Sequence, residues 1–131
     1  MKSYLSGTKK SLPSSKSRTI FITLKSFFVY IVTNPKKTVL YIGITNDLES
    51  RIIEHYLNRG NTKTFAGRYH CYKLLYYEVH DTAVGAIERE KEIKDWNRAK
   101  KEELINRENP SWTILNDQIT GWPPHPDVTG R

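Results

Sequence analysis

Two extended runs joined by a four-residue turn constrain this chain more than any other feature. "FFVYIVT" (Phe27–Thr33) is dense in aromatic and β-branched residues, which suit a pleated, half-buried surface. "NPKK" (Asn34–Lys37) is a turn signal, and "TVLYIGI" (Thr38–Ile44) is a second run of strand type. So short a connection can only join antiparallel neighbours, because a parallel pair needs a crossover of about a dozen residues or more. The chain must therefore contain a β-hairpin, and its later segments have to pack against it.

A helix comes next. Asn46 starts it, with Glu49 three residues later in the capping-box arrangement. Leu48, Ile52 and Tyr56 make one apolar stripe, and Arg51 and His55 stack one turn apart on its shoulder. Asn58–His70 is expected as a loop with Gly60 and Gly67, and Tyr72–Val79 as a third strand. Asp81 or Thr82 can cap a helix that runs to Asn97. A further helical stretch covers Ala99–Arg107, and Asn109-Pro110 stops it. Trp112 and Leu115 are expected to pack back onto the core. The order strand, strand, helix, strand, helix, helix predicts an α/β (α+β) domain, a small three-stranded sheet flanked by helices. Its expected bounds are residues 26–119. A flexible basic leader (1–25) precedes it and a Pro-rich flexible tail (120–131) closes the chain.

The 131 residues carry 21 Lys plus Arg against 14 Asp plus Glu, a formal net charge of +7. That suits a polyanionic partner, nucleic acid or an anionic membrane surface. The longest apolar run, Phe27–Val32, is far short of the about 20 residues that cross a bilayer. No membrane span and no signal peptide are expected. The single cysteine, Cys71, excludes an internal disulfide and a cysteine-based zinc site. It fits a reducing compartment, the cytoplasm, and a buried inert thiol.

The second long helix holds an anomaly. Ala83, Ala86, Ile87 and Ile93 form one apolar arc on a helical wheel, and Glu90 falls inside it. A carboxylate facing a core must be paired, neutralised or metal-bound. Three readings stay open: a salt bridge, a buried stem with a solvated head, or a carboxylate in a polar cleft. In such a cleft it could meet Arg51, or hold magnesium or manganese with substrate phosphate completing the shell.

With these residues in place the chain resembles the GIY-YIG nuclease superfamily. It is most similar to the small single-domain bacterial members, which share a domain type with the N-terminal incision domain of the excinuclease C subunit. The carriers are "VYI" (Val29–Ile31), "YIG" (Tyr41–Gly43), "AIEREKEIKDW" (Ala86–Trp96), and "NPSW" (Asn109–Trp112) followed by "ILN". The resemblance spans Phe27–Asn116. Phe28 and Val29 stand where the name-giving motif has Gly-Ile. Ile44 stands where some relatives carry a lysine that lowers proton affinity at the centre.

The resemblance implies a three-stranded sheet of mixed topology and divalent-metal-dependent hydrolysis of DNA phosphodiesters. It implies catalytic roles for Tyr30, Tyr41, Arg51, His55 and Glu90, with Glu90 holding one Mg2+ or Mn2+ ion. Asn116 is a further, less secure match. The chemistry is coherent. A metal can polarise phosphate and assist the leaving oxygen, and the Arg51 fork matches phosphate oxygens. Tyr30, Tyr41 and His55 are the candidates for orienting water or moving its proton, with Tyr30 preferred as general base. Lys63, Arg68, His70 and Lys73 form one candidate basic approach, and Lys94, Arg98 and Lys100 a second. Both would hold backbone rather than read bases. Phe65 and Tyr69 can stack on an unpaired base.

The leading expectation is a metal-dependent DNA endonuclease, repair-linked or DNA-processing, acting as a monomer, with RNA as an alternative substrate. The rival is a catalytically weak or inactive nucleic-acid-binding module on the same scaffold. A third reading is an interaction protein whose tyrosines and Glu90 form an internal network.

Overall fold

The hairpin forms where the turn chemistry directs it. In a computed structural model, which describes residues 26–119, β1 (Phe27–Thr33) pairs antiparallel with β2 (Leu40–Thr45), placing Tyr30 opposite Gly43 and Val32 opposite Tyr41. The side-chain oxygen of Asn34 accepts from the backbone N–H of Thr38 at 2.8 Å and of Val39 at 2.9 Å. Those two donors are committed to the turn, so β2 begins at Leu40 rather than at Thr38. The expected leader (1–25) and tail (120–131) lie outside the described residues.

β3 (Lys73–His80) pairs with the other edge of β1, giving the sheet order β2-β1-β3. The three-stranded sheet with flanking helices appears in the expected order. Its mixture of directions lies between the two outer strands and the centre: β2 and β3 run the same way, but each hydrogen-bonded ladder is antiparallel. The helical connections bring β3 back beside β1, not beside β2, so no parallel ladder forms among the described residues. An irregularity between Ile31 and Val32 leaves Leu75 without a partner in the register. This bulge lets Leu75 and Tyr76 share one face while Leu74 and Tyr77 turn to the other.

Each face has its own helices. α1 (Leu48–Leu57) buries Leu48 and Ile52 against Tyr30, Val32 and Leu74. Its cap is Asp47, one residue later than expected, because the Asp47 carboxylate reaches both the N–H (3.1 Å) and the hydroxyl (2.9 Å) of Ser50. A four-residue helix, α2 (Phe65–Arg68), lies inside the segment expected as loop. Thr64 caps it by accepting from Gly67 N–H at 3.0 Å. α3 (Ala83–Asp95) and α4 (Arg98–Glu108) cover the opposite face, where Ala86, Ile93, Leu104 and Ile105 pack on Val29, Ile31 and Ile42. Thr82 and Asn97 cap these two helices. A last short helix, α5 (Asn116–Ile119), was not expected from the sequence.

Candidate nucleic-acid site

Three elements bring four side chains to the α1 face of the sheet. Tyr30 comes from β1, Tyr41 from β2, and Arg51 and His55 from adjacent turns of α1. The Tyr30 hydroxyl lies 2.8 Å from His55 Nε2. The His55 ring sits edge-on to both tyrosines, with centroids 5.6 Å apart in each pair. Arg51 is 40% exposed and pairs with Glu54 at 3.1 Å. Tyr41, Arg51, Glu54, His55, Thr64 and Phe65 line a cavity of about 240 Å³.

The electrostatics of the pair arise from its surroundings. Burial raises the Tyr30 phenol well above its usual range, and Tyr41 adds to this while Arg51 opposes it. Burial, then the neighbouring charge of Arg51, lower the His55 imidazolium to about 4. At neutral pH both partners are therefore uncharged. Tyr30 is not a phenolate, and a proton leaving a water at its oxygen would have to be matched by transfer of the phenolic proton to His55 Nε2. A base so far below neutral pH is a weak one. The cavity thus offers a half-exposed cation for an anion more readily than it offers a strong base.

The remaining expected residues are dispersed. Arg68 ends α2, where it donates to the Thr62 carbonyl at 2.9 Å, and Lys63 and His70 lie on either side of that helix in the chain. Lys73 opens β3, its ammonium 5.2 Å from the Tyr72 ring centre. Lys94 pairs with Glu90. Arg98 bridges Glu102 and the Thr38 carbonyl, tying α4 to the hairpin. Lys100 lies over Trp96. Asn116 is fully buried, its amide accepting from Leu74 N–H at 2.7 Å and donating to the Tyr72 carbonyl at 2.9 Å. Both ends of that side chain hold β3.

A family profile described as the GIY-YIG catalytic domain matches residues 26–103. The chain belongs to the GIY-YIG family. Among individual proteins, it is 39% identical over 79 residues to a UPF0213 protein of Staphylococcus saprophyticus, covering 60% of this chain and 93% of that one. A UPF0213 protein of the archaeon Haloquadratum walsbyi is 40% identical over 77 residues, covering 59% of this chain and 83% of that one. The solution structure of a UPF0213 protein from Bacillus halodurans matches 66% of this chain and 89% of its own, at 28% identity and a TM-score of 0.44.

In this GIY-YIG protein the glycine of "YIG" has a steric reason. A Cβ built on Gly43 would fall on the Tyr30 hydroxyl and ring carbon Cζ, with Cε2 at 2.9 Å. The Tyr30 ring lies across Gly43, and that passage carries its hydroxyl to His55. Neither Tyr30 nor Glu90 is among the residues lining the cavity, but Tyr30 reaches it through His55. The helix of Glu90 packs on the opposite face, and the Glu90 side chain, 15% exposed, holds Lys94 at 2.9 Å. Ile87, expected beside it in an apolar arc, is 43% exposed. Among the described residues no three His, Cys, Asp or Glu side chains gather where they could hold a metal ion. The Glu90 carboxylate expected to hold a divalent ion is paired here with the Lys94 ammonium, and substrate phosphate oxygens would have to complete the shell of an ion held there.

The carboxylate that is truly buried is one sequence reasoning missed. Glu78, 1% exposed, accepts from the Tyr76 hydroxyl and from Arg89 Nε at 2.9 Å, and lies 2.7 Å from His80 Nε2. Alternation along β3 puts Tyr76, Glu78 and His80 on one face, and that signal was present in the sequence.

Proposed function

We propose that this GIY-YIG protein is a nucleic-acid-binding module, for DNA before RNA, with weak or no phosphodiester hydrolysis. What carries the reading is the Arg51 guanidinium, half-exposed in a cavity beside an uncharged Tyr30–His55 pair, while Glu90 is tied to Lys94. Arg51 would take a phosphate oxygen, and Lys63, Arg68 and His70 would attract the neighbouring backbone. Lys94, Arg98 and Lys100, each already held within the protein, are assigned a smaller part.

The second reading is a one-metal endonuclease using Mg2+ or Mn2+ at Glu90, in repair or DNA processing. The hydrogen-bonded Tyr30–His55 pair next to Arg51 favours it, because that is a proton path beside an anion site. A reducing compartment and a monomeric state accompany either reading. No helix among the described residues is long and apolar enough to cross a membrane.

The test is anisotropy titration of labelled single-stranded, duplex, nicked and branched DNA and of RNA, over a range of NaCl, with Mg2+, Mn2+ or EDTA. Binding should weaken with salt, by about 0.9 in log–log slope per duplex phosphate contacted. Arg51→Gln should weaken it roughly 10- to 150-fold, as expected for a lost hydrogen bond to a charged group. Products that need metal and vanish in Glu90→Gln would establish the endonuclease instead. No binding to any nucleic acid by the folded protein would sink both.

A further inference from the structure

Beside the Arg51 cavity the surface does something costly. Phe65 is 53% exposed and Tyr69 42% exposed, two large rings left in water on one short element. Their centroids are 4.8 Å apart. Phe65 also lies nearly parallel to Tyr41, 25° between planes at 6.2 Å, so the line Tyr41–Phe65–Tyr69 runs from the cavity wall out to solvent.

The segment that presents them is built, not slack. Gly60 N–H donates to the Gly67 carbonyl at 2.8 Å, Asn61 N–H to the Asn58 carbonyl at 2.9 Å, and Cys71 N–H to the Ala66 carbonyl at 2.8 Å. A Cβ on Gly67 would fall 2.7 Å from the Asn58 carbonyl oxygen, so two stretches of backbone are pressed together there. Ala66 and Gly67 are buried while Phe65 and Arg68 on either side are not. Such a scaffold fixes the rings in place at low cost in entropy on binding.

We propose that Phe65 and Tyr69 form a stacking platform for an unpaired nucleobase, so that the Arg51 site takes single-stranded or locally unpaired nucleic acid in preference to intact duplex. The inference rests on the nucleic-acid-binding reading above. The charge around the rings is complementary: Arg51 in the cavity, with Lys63, Arg68 and His70 next to them in the chain, suits a partner with alternating phosphates and flat apolar rings. The cavity also suits a divided ligand. At about 240 Å³ it is smaller than the roughly 300–1,000 Å³ of pockets that enclose a small molecule, so it takes one phosphate while the base lies outside on Phe65. In a duplex the bases face each other and are stacked already, so neither can reach the rings without being unpaired.

The experiment compares an oligothymidine strand with a blunt duplex of equal phosphate count, by anisotropy in EDTA. The proteins are the full chain, Phe65→Ala, Phe65→Trp, Phe65→Leu, Tyr69→Ala and Arg51→Gln, each checked for folding by circular dichroism. Loss of one stacked base predicts that Phe65→Ala weakens single-strand binding roughly 5- to 150-fold, with duplex binding changed less than about twofold. Phe65→Trp should keep the preference and Phe65→Leu should lose it, since leucine keeps apolar contact but not the ring. If the strand and the duplex weaken equally in Phe65→Ala, the platform does not select unpaired bases. If both ring deletions leave single-strand binding intact while Arg51→Gln abolishes it, the stacking inference fails and the binding reading stands. If the unaltered protein binds neither probe, both fail.

Discussion

Replacing Gly43 with alanine tests the geometry on which the whole site depends. The added methyl would occupy the space of the Tyr30 hydroxyl and Cζ. Tyr30 is fully buried at the centre of β1, so its ring has no open side to move into. Overpacking of this kind costs about 1–3 kcal/mol. Any movement of the ring also stretches the 2.8 Å contact with His55, which adds about 1 kcal/mol for a lost buried hydrogen bond. The total is about 2–4 kcal/mol, a large part of the roughly 5–15 kcal/mol that holds a typical domain together.

Urea denaturation followed by circular dichroism is the assay. With a slope of about 2 kcal/mol per molar, Gly43→Ala should lower the midpoint by roughly 1–2 M without a change in slope. A double-mutant cycle sharpens the attribution. Tyr30→Phe deletes the hydroxyl, one of the atoms the new methyl strikes, together with its His55 contact, so the double variant should cost less than the sum of the two singles, with a coupling of about 0.5–3 kcal/mol. A midpoint shift worth less than about 0.5 kcal/mol would refute the close passage of Tyr30 over Gly43 as the reason for the glycine.

Other consequences are testable in the same assay. His55 titrates near 4 in the folded protein against 6.5 in the unfolded chain, so the unfolded chain binds the extra proton as pH falls through 6.5 toward 4. That removes stability in this window, on the order of 3 kcal/mol, and His55→Gln should flatten the acid limb by comparison; equal limbs would mean that His55 is not held neutral. Cys71, 1% exposed with its thiol pushed up to about 11 by burial, should react with a disulfide reagent at pH 8 only as the protein opens; immediate native-state reaction would contradict the packing. Glu78→Ala removes an acceptor shared by Tyr76, Arg89 and His80 and should cost about 3–5 kcal/mol, whereas Glu90→Ala, breaking only its pair with the half-exposed Lys94, should cost under about 1 kcal/mol. Midpoints in the reverse order would make Glu90 the structural carboxylate.

The contrast between those two glutamates shows what the sequence could and could not reveal. What neighbours in the chain set was legible: the hairpin from "NPKK", the order of elements, and the placement of Arg51 and His55 on adjacent turns. The errors came where a contact from outside the local pattern intervened. Asn34 captures the donors of Thr38 and Val39, delaying β2, and Asp47 reaches Ser50 by two atoms, displacing Asn46 as cap. A helical wheel assumes a fixed turn per residue and a partner on one side only. It therefore put Ile87 in the buried arc, from which Ile87 in fact points away, 43% exposed, while Glu90 is mostly buried and paired with Lys94. The bulge at Leu75 shifts the alternation of β3, so the face given to Glu78 could be counted only from Tyr76 onward and not from the start of the strand. The placement of Arg51 and His55 on adjacent turns was readable, but protonation in the cavity was not. That depends on the burial of Tyr30 and His55 and on Arg51 lying beside them, and these are properties of the assembled faces. The same burial that keeps the pair uncharged keeps His55 a weak base, while the Arg51 cation beside it is 40% exposed. Under the proposed reading, holding a phosphate and activating a water would be separate tasks in this scaffold, the first resting on Arg51 and the second on groups that burial keeps neutral.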